Sequence, residues 1–316
     1  MKDFPYDVIV CRALSEVPRH PYPVVTVGTF DGVHLGHRAI LERLCAIARA
    51  NHGQVVVLTF HPHPRKVLGP ADTRLLMLNT LEERIRLFES LGVDVLVIQE
   101  FTAEFSEIGY EAFVSDYLVG GLGVKMLVIG YDHQFGHRRQ GGMQALCELA
   151  PTLGIDEEEI PEQDIDAIAV SSTRIRTSLL NAEVELARNL LGYPYALEGV
   201  VIKGRQIGRT IGYPTANLAI ADPDKLIPAN GVYAVWVECE GRRFKGAMSI
   251  GHRPTFDAGE RSIEVHVLQF SGDLYGKSLR VECMYHLRPE LKFDAVDHLI
   301  RQMQQDCLKA DQLLVG

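Results

Sequence analysis

The chain lacks most of what would mark it as a specialised class of protein. No apolar run approaches the roughly 20 residues that span a membrane. Asp3, Pro5 and Asp7 stand where a secretory signal needs an apolar core, so none is expected and a cytoplasmic location is predicted. The cysteines (Cys11, Cys45, Cys147, Cys239, Cys283 and Cys307) are scattered, with no Cys-x-x-Cys pair. That pattern speaks for reduced thiols and against a disulfide framework or a zinc site. Positive charge is not in excess: the formal net charge is -9, which argues against a general nucleic-acid binder but leaves room for nucleotide binding at a local positive field. There is no Walker A loop, no Rossmann glycine fingerprint, no internal repeat and no low-complexity segment. With 47% hydrophobic and 23% charged residues the composition is that of an ordinary globular protein, and 316 residues suffice for two domains.

The first half alternates two periods. Strand-like apolar runs occupy Val24–Thr29, Gln54–Phe60, Val93–Gln99 and Lys125–Gly130. Helical spacing occupies Ala39–Ala50, Leu81–Leu91, Tyr110–Val119 and Gly142–Leu153. Thr80 and Glu83 have the spacing of a capping box. The alternation predicts an α/β architecture, a parallel sheet with helices on both faces. Ser171–Leu180 and Glu183–Leu191 read as two short helices that finish this half. Near Gly192-Tyr193-Pro194 the pattern changes to short alternating strands with Gly-rich turns: Leu197–Lys203, Val232–Glu238, Arg243–Ile250, Ser262–Phe270 and Ser278–Tyr285. This predicts an antiparallel barrel or sandwich. A final helix, Phe293–Leu314, has Val296, Leu299, Ile300, Met303 and Cys307 on one stripe, expected to pack on the barrel. The expected domains are 1–186 and 187–316.

One turn carries more information than any other segment. Gly28-Thr29-Phe30-Asp31-Gly32-Val33-His34-Leu35-Gly36-His37 lies between the first buried strand and its helix. In an α/β sheet that is the carboxyl end of a strand, where ligands bind. The helix presents its N–H groups and positive dipole end to the same place, which suits phosphate. His34 and His37 are three apart, so near a helix start they can face one ligand together.

This run matches the nucleotidylyltransferase superfamily signature and resembles the bacterial FMN adenylyltransferase branch. The resemblance implies a Rossmann-like domain in which His34 and His37 act on phosphates during catalysis and Gly28, Phe30, Asp31, Gly32 and Gly36 bind ATP. Donors fixed at a helix N-terminus would stabilise charge building on the α-phosphate and on departing pyrophosphate. Thr59-Phe60-His61-Pro62-His63-Pro64 resembles the family's Thr-Phe-x-Pro-His-Pro loop, implying Pro62 and Pro64 beside the flavin. Gly130-Tyr131-Asp132-His133-Gln134-Phe135-Gly136 resembles Gly-x-Asp-Phe-x-Phe-Gly, with His133 and Gln134 departing in the middle. It implies Asp132 and Phe135 at the flavin. Ser171-Ser172-Thr173-Arg174-Ile175-Arg176 resembles Ile-Ser-Ser-Thr-x-Ile-Arg, with Val170 for the leading Ile, and implies Ser171, Ser172, Thr173 and Arg176 at the triphosphate.

A second glycine-rich element runs from Gly204 to Leu218 and contains Pro214-Thr215-Ala216-Asn217. It resembles the riboflavin kinase motif. The resemblance implies Gly204, Gly208, Gly212 and Thr215 at ATP, with Thr215 and Asn217 holding Mg²⁺, a hard cation suited to oxygen ligands. Within Ser262–Val267, residues Ile263, Val265 and Val267 alternate to one face and Glu264 and His266 to the other. The resemblance makes Glu264 the base for the ribityl 5′-hydroxyl. Together these similarities cover nearly the whole chain, in order. They imply a bifunctional enzyme: riboflavin to FMN with Mg²⁺ and ATP in an antiparallel barrel with a terminal helix, then FMN to FAD. FMN and FAD are then substrate and product, not redox cofactors. The expected partners are riboflavin, FMN and ATP, with no nucleic acid and no membrane. Two alternatives stay open: a single-activity nucleotidylyltransferase with a flavin-binding second domain, and a non-enzymatic flavin-sensing module.

Overall fold

The computed structural model describes residues 7–70, 74–131, 134–137, 140–161, 170–204, 208, 212–252 and 261–315. Two compact units separate by contacts, Met1–Ser172 and Thr173–Gly316.

The first unit is a six-stranded sheet in the order β1-β4-β3-β2-β5-β6, with every pair parallel. Its strands are β1 (Ile9–Cys11), β2 (Pro23–Val27), β3 (Gln54–His61), β4 (Val95–Glu100), β5 (Met126–Gly130) and β6 (Asp156–Ile160). Successive residues point to opposite faces. Val25, Val56, Leu58, Val97 and Leu127 enter one core layer, and Val24, Val55, Val57, Leu96 and Val128 enter the other. That double burial is why the strands read as unbroken apolar runs. Helices α1 (Leu35–Ala50) and α3 (Leu81–Ser90) feed Leu41, Leu44 and Phe88 into the second layer. Between them is a short α2 (Pro64–Leu68). The chain moves outward from β2 to β3 to β4, then crosses to β5 on the other side of β2. The switch point is therefore the crevice at the carboxyl ends of β2 and β5.

Several local expectations are refined. The capping box is present in both halves: Glu83 N–H donates to Thr80 Oγ1 at 3.2 Å and Thr80 N–H to Glu83 Oε2 at 3.0 Å. After α4 (Ala103–Ser106), the helix expected over Tyr110–Val119 is α-helical only at α5 (Tyr110–Ala112) and π-helical over Phe113–Leu122. Its buried Phe113 and Leu118 are five apart, the π spacing, and Gly120 and Gly121 weaken the α alternative. Strands β1 and β6 were not expected. Both are edges, and the four acidic residues of β6 protect an edge instead of filling a core. Helix α6 (Met143–Leu153) precedes β6.

The second unit begins with α7 (Ser172–Leu180), nearly all within it, and α8 (Val184–Leu191). Val184, Ala187, Leu190 and Leu191 are fully buried, and α8 packs on β7 (Tyr195–Ile202) and β12 (Ser278–Arg288). Six antiparallel strands close a barrel in the order β10-β11-β8-β7-β12-β9. The others are β8 (Ala216–Ala219), β9 (Gly231–Cys239), β10 (Arg242–His252) and β11 (Arg261–Val267). Closure leaves no free edge. The terminal helix α9 (Val296–Leu313) packs on β9 and β10. The expected stripe is half-buried at Leu299, Ile300, Met303 and Cys307 and departs at its first residue. Val296 is 59% exposed, whereas Asp306 and Ala310 are buried. Arg288 makes the Asp306 burial possible by donating from Nη2 at 2.8 Å and from Nε at 3.1 Å to its carboxylate.

Candidate active sites

The turn after β2 is a strained piece of backbone held from all sides. Phe30, Gly32 and Val33 have φ of 49°, 86° and 35°. For the β-branched Val33 this is an outlier, sustained only when its surroundings over-determine it. They do. Gly28 N–H donates to Leu58 O at 3.0 Å and Val33 N–H to Phe30 O at 3.1 Å. The Asp31 carboxylate accepts from Leu78 N–H at 2.9 Å, and its carbonyl accepts from the Ser172 hydroxyl at 2.8 Å. Arg84 Nη1 donates to Thr29 O at 2.6 Å. Phe30 and Val33 are buried in the core beneath.

This frame sets two imidazoles face to face at the start of α1. The His34 and His37 rings stack with centroids 3.7 Å apart. His34 is the N-cap, its Nδ1 accepting from His37 N–H at 3.4 Å. An accepting Nδ1 carries no proton, so neutral His34 has its N–H at Nε2. Phe30 stands edge-on to His37 at 5.1 Å. His37 Nδ1 is buried with no hydrogen-bond partner among the described residues. Burial pushes the His37 pKa well below its ordinary value, and the neighbouring His34 and Arg84 push the same way. The ring is therefore neutral at physiological pH. Arg84 is 3% exposed, with its guanidinium beneath the turn. The result is a positive environment at a helix N-terminus, aimed at the switch crevice.

Aromatic rings gather at the carboxyl ends of β3 and β4. Phe60, Phe101 and Phe105 lie within 5.5–5.8 Å of one another, and Tyr117 meets Phe105 at 5.2 Å. All four are half-buried. Tyr117 Oη donates to Gln99 Oε1 at 2.6 Å. The loop after β5 is pinned beside them. Phe135 and Gly141 exchange backbone bonds of 2.8 and 2.9 Å, and His137 N–H donates to Ile108 O.

In the barrel, β8 and β11 pair with Glu264 opposite Asn217, so the two side chains share a face. The Thr215 hydroxyl donates to Glu264 Oε2 at 2.9 Å. Asn217 is 7% exposed. A cavity of about 590 Å³ opens here, lined among others by Gly204, Thr215, Asn217, Phe270, Asp273 and Tyr275. That volume suits a small-molecule ligand. Among the described residues no cluster of three His, Cys, Asp or Glu could hold a metal. Thr215 and Asn217 supply neutral oxygens, the kind of ligand a phosphate-bound Mg²⁺ adds to its own waters.

Comparison with known proteins decides the family. The FAD synthetase family model matches residues 17–174 and the riboflavin kinase model residues 191–314. A bifunctional riboflavin kinase/FMN adenylyltransferase from Listeria monocytogenes is 40% identical over 90% of both chains. The Escherichia coli K12 protein of that name is 36% identical over 94% of both. The chain belongs to this bifunctional family. A solved structure from Streptococcus pneumoniae, described as a macrolide-efflux protein, superposes with a TM-score of 0.88 at 32% identity, covering 96% of this chain and 99% of that one. No helix among the described residues of the present chain is long and apolar enough to cross a membrane.

In the FAD synthetase region the structure brings together Gly28, Phe30, Asp31, Gly32, His34, Gly36, His37 and Ser172. Phe30 and Asp31 face inward: the ring packs under His37 and the carboxylate is tied to Leu78. Ser171 is exposed, and Thr173 and Arg176 continue along α7. Pro62 and Pro64 flank His63, which caps α2 by accepting from Arg65 N–H. Phe135 is 8% exposed and packs on Phe113, and Asp132 lies outside the described residues. In the riboflavin kinase barrel, Gly204, Thr215, Asn217 and Glu264 assemble around one strand pair. Gly208 meets the turn at Tyr213, and Gly212 has φ of 86°. Sequence reasoning missed Arg84, Phe101, Phe105 and Tyr117. Arg84 lies in an ordinary amphipathic helix, 55 residues from the carbonyl it holds, and nothing local marks it.

Proposed function

We propose that residues 187–316 carry the riboflavin kinase chemistry and residues 1–186 the FMN adenylyltransferase chemistry, through the residues assembled above. In the barrel, Glu264 takes the proton of the ribityl 5′-hydroxyl. That oxygen forms a bond to the γ-phosphorus of ATP while the β,γ-bridging P–O bond breaks, and ADP leaves. The observation that carries this reading is the Thr215 hydroxyl on Glu264 Oε2 at 2.9 Å: the carboxylate already accepts an O–H from a residue of the cavity wall. Thr215 and Asn217 would hold Mg²⁺, which when bound neutralises phosphate charge. Gly204, Gly208 and Gly212 let backbone approach the nucleotide.

In the adenylyltransferase half, the FMN phosphate attacks the α-phosphorus of ATP and pyrophosphate departs. The His34 Nε2–H, the His37 ring and the positive end of α1 face the charge that develops. Ser171, Ser172, Thr173 and Arg176 serve the triphosphate. Pro62 and Pro64, with Phe60, Phe101 and Phe105 as an aromatic wall and Asp132 and Phe135 from the loop after β5, serve the flavin. We place the enzyme in the cytoplasm, where its ATP is.

The test is one incubation of the purified chain with riboflavin, ATP and Mg²⁺, followed over time. FMN should rise and fall as FAD and pyrophosphate accumulate. If FMN accumulates with no FAD, and supplied FMN is not adenylylated, the first-half assignment fails.

A further inference from the structure

Strands β8 and β11 are joined at only two register positions, Glu264 opposite Asn217 and Val265 opposite Ala216. Extending that register sets His266 opposite Thr215 and Val267 opposite Pro214. Proline has no N–H, so the backbone ladder has no donor there. The side chain of His266 ties the two strands there through the carbonyl of the same residue: Nδ1 lies 2.8 Å from the Pro214 carbonyl oxygen. A carbonyl only accepts, so Nδ1 carries the proton. The Tyr213 ring stands edge-on to the same imidazole at 5.4 Å. His266 and Glu264, two apart, share one face of β11. The carboxylate receives the Thr215 hydroxyl, and the imidazole holds the carbonyl just before Thr215.

We propose that His266 is a positioning residue of the kinase site, a side-chain clamp that continues the strand pairing past Pro214. It fixes Thr215 and Asn217 against the strand that bears Glu264. The clamp rests on the roles given above to Thr215, Asn217 and Glu264. Its predicted signature is on Mg·ATP use, because the clamped segment carries the two oxygen ligands and His266 itself need not touch substrate.

The experiment uses the full chain and riboflavin phosphorylation at varied Mg·ATP. His266→Phe keeps a flat ring beside Tyr213 and has no donor. His266→Asn puts an N–H close to where Nδ1 stands. His266→Phe should raise the KM for Mg·ATP roughly fivefold, the factor one hydrogen bond of ordinary net strength is worth, with kcat changed less. His266→Asn should return it to near the parent value. FMN adenylylation in the same preparations should not change. His266→Leu, close to Asn in size, replaces the Phe variant if that one fails to melt cooperatively. Thr215→Ala is the reference. If Thr215→Ala cripples the kinase while His266→Phe and His266→Leu match the parent, the clamp is wrong. It is equally wrong if His266→Asn is no better than they are. If Thr215→Ala itself matches the parent, the reading of the site fails, independently of the clamp.

Discussion

Glu264→Gln separates chemistry from architecture in the barrel. Thr215 Oγ1 donates to Glu264 Oε2 at 2.9 Å, and a Gln amide oxygen can accept the same bond. The strand pairing at Glu264 opposite Asn217 uses backbone atoms only. Stability should therefore move by less than about 1 kcal/mol, the net worth of one hydrogen bond. What disappears is the proton acceptor. A positioned base contributes about 10²–10⁴ in rate, or about 2.7–5.4 kcal/mol of barrier. The assay is steady-state FMN formation from riboflavin, with FMN adenylylation measured in the same preparation. We expect kcat for the kinase to fall at least about 10²-fold, with an unchanged melting transition and unchanged adenylylation. A kinase kcat within a few-fold of the parent, in a protein that melts normally, would refute Glu264 as the base. A parallel loss of both activities would point to general damage instead.

Three further outcomes follow from the structure. His37→Ala should cut FAD formation by about 10²–10³ and spare FMN formation, since it removes one fixed group at the developing phosphate charge; paired turnover of both reactions checks it. Because burial lowers the His37 pKa, the unfolded chain binds a proton below its ordinary pKa of about 6.5 that the native ring refuses. His37 thus adds up to about 1.4 kcal/mol of lost stability per unit as pH falls below that value, until its lowered native pKa is reached. His37→Ala should flatten that slope in denaturant titrations between pH 6.5 and 5, and an unchanged slope would count against a neutral, buried ring. A fragment of residues 173–316 should keep kinase activity, whereas 193–316 should be unstable, because it lacks the fully buried Val184, Leu190 and Leu191. At about 1.5–3 kcal/mol each, their loss matches the whole stability of a small domain; a well-folded 193–316 fragment would refute that arithmetic.

What could be read from the sequence was set by the range over which each feature acts. Strands buried on both faces are continuous apolar runs, so β2 to β5 are legible within a residue or two at most ends. The Thr80–Glu83 box is local and appears with both of its bonds. The barrel strands are legible from alternation, except β8, whose four residues follow a proline and look like a turn. The stripe of the terminal helix is legible at Leu299, Ile300, Met303 and Cys307, but the burial of Asp306 is not, because that carboxylate is neutralised by Arg288, a partner on another element. The first site shows the same limit. Its histidines and glycines announce themselves in ten residues, but the cation beneath them and the aromatic wall beside them come from α3, β3, the residue after β4, α4 and the π-helical segment. Only the folded parallel sheet brings those segments together.

The glycines of the two sites invite one reading, close approach of backbone to phosphate, and the structure adds a different one. A Cβ at Gly28 would stand 2.9 Å from Phe30 Cε2, inside the ring that supports His37. A Cβ at Gly204 would run into the amide of Asn217. Neither residue has left-handed backbone, so neither is there for conformational freedom. Each is glycine because a functional side chain, or the ring beneath one, occupies the space its own side chain would take. Alanine at Gly204 would then act first on Asn217, displacing a residue that cannot retreat because it is 7% exposed. Alanine at Gly28 would act first on the Phe30–His37 contact. Both sites thus depend on absent side chains for the positions of the ones that are present. That is a packing constraint on the reacting groups, and it holds whether or not a phosphate is bound.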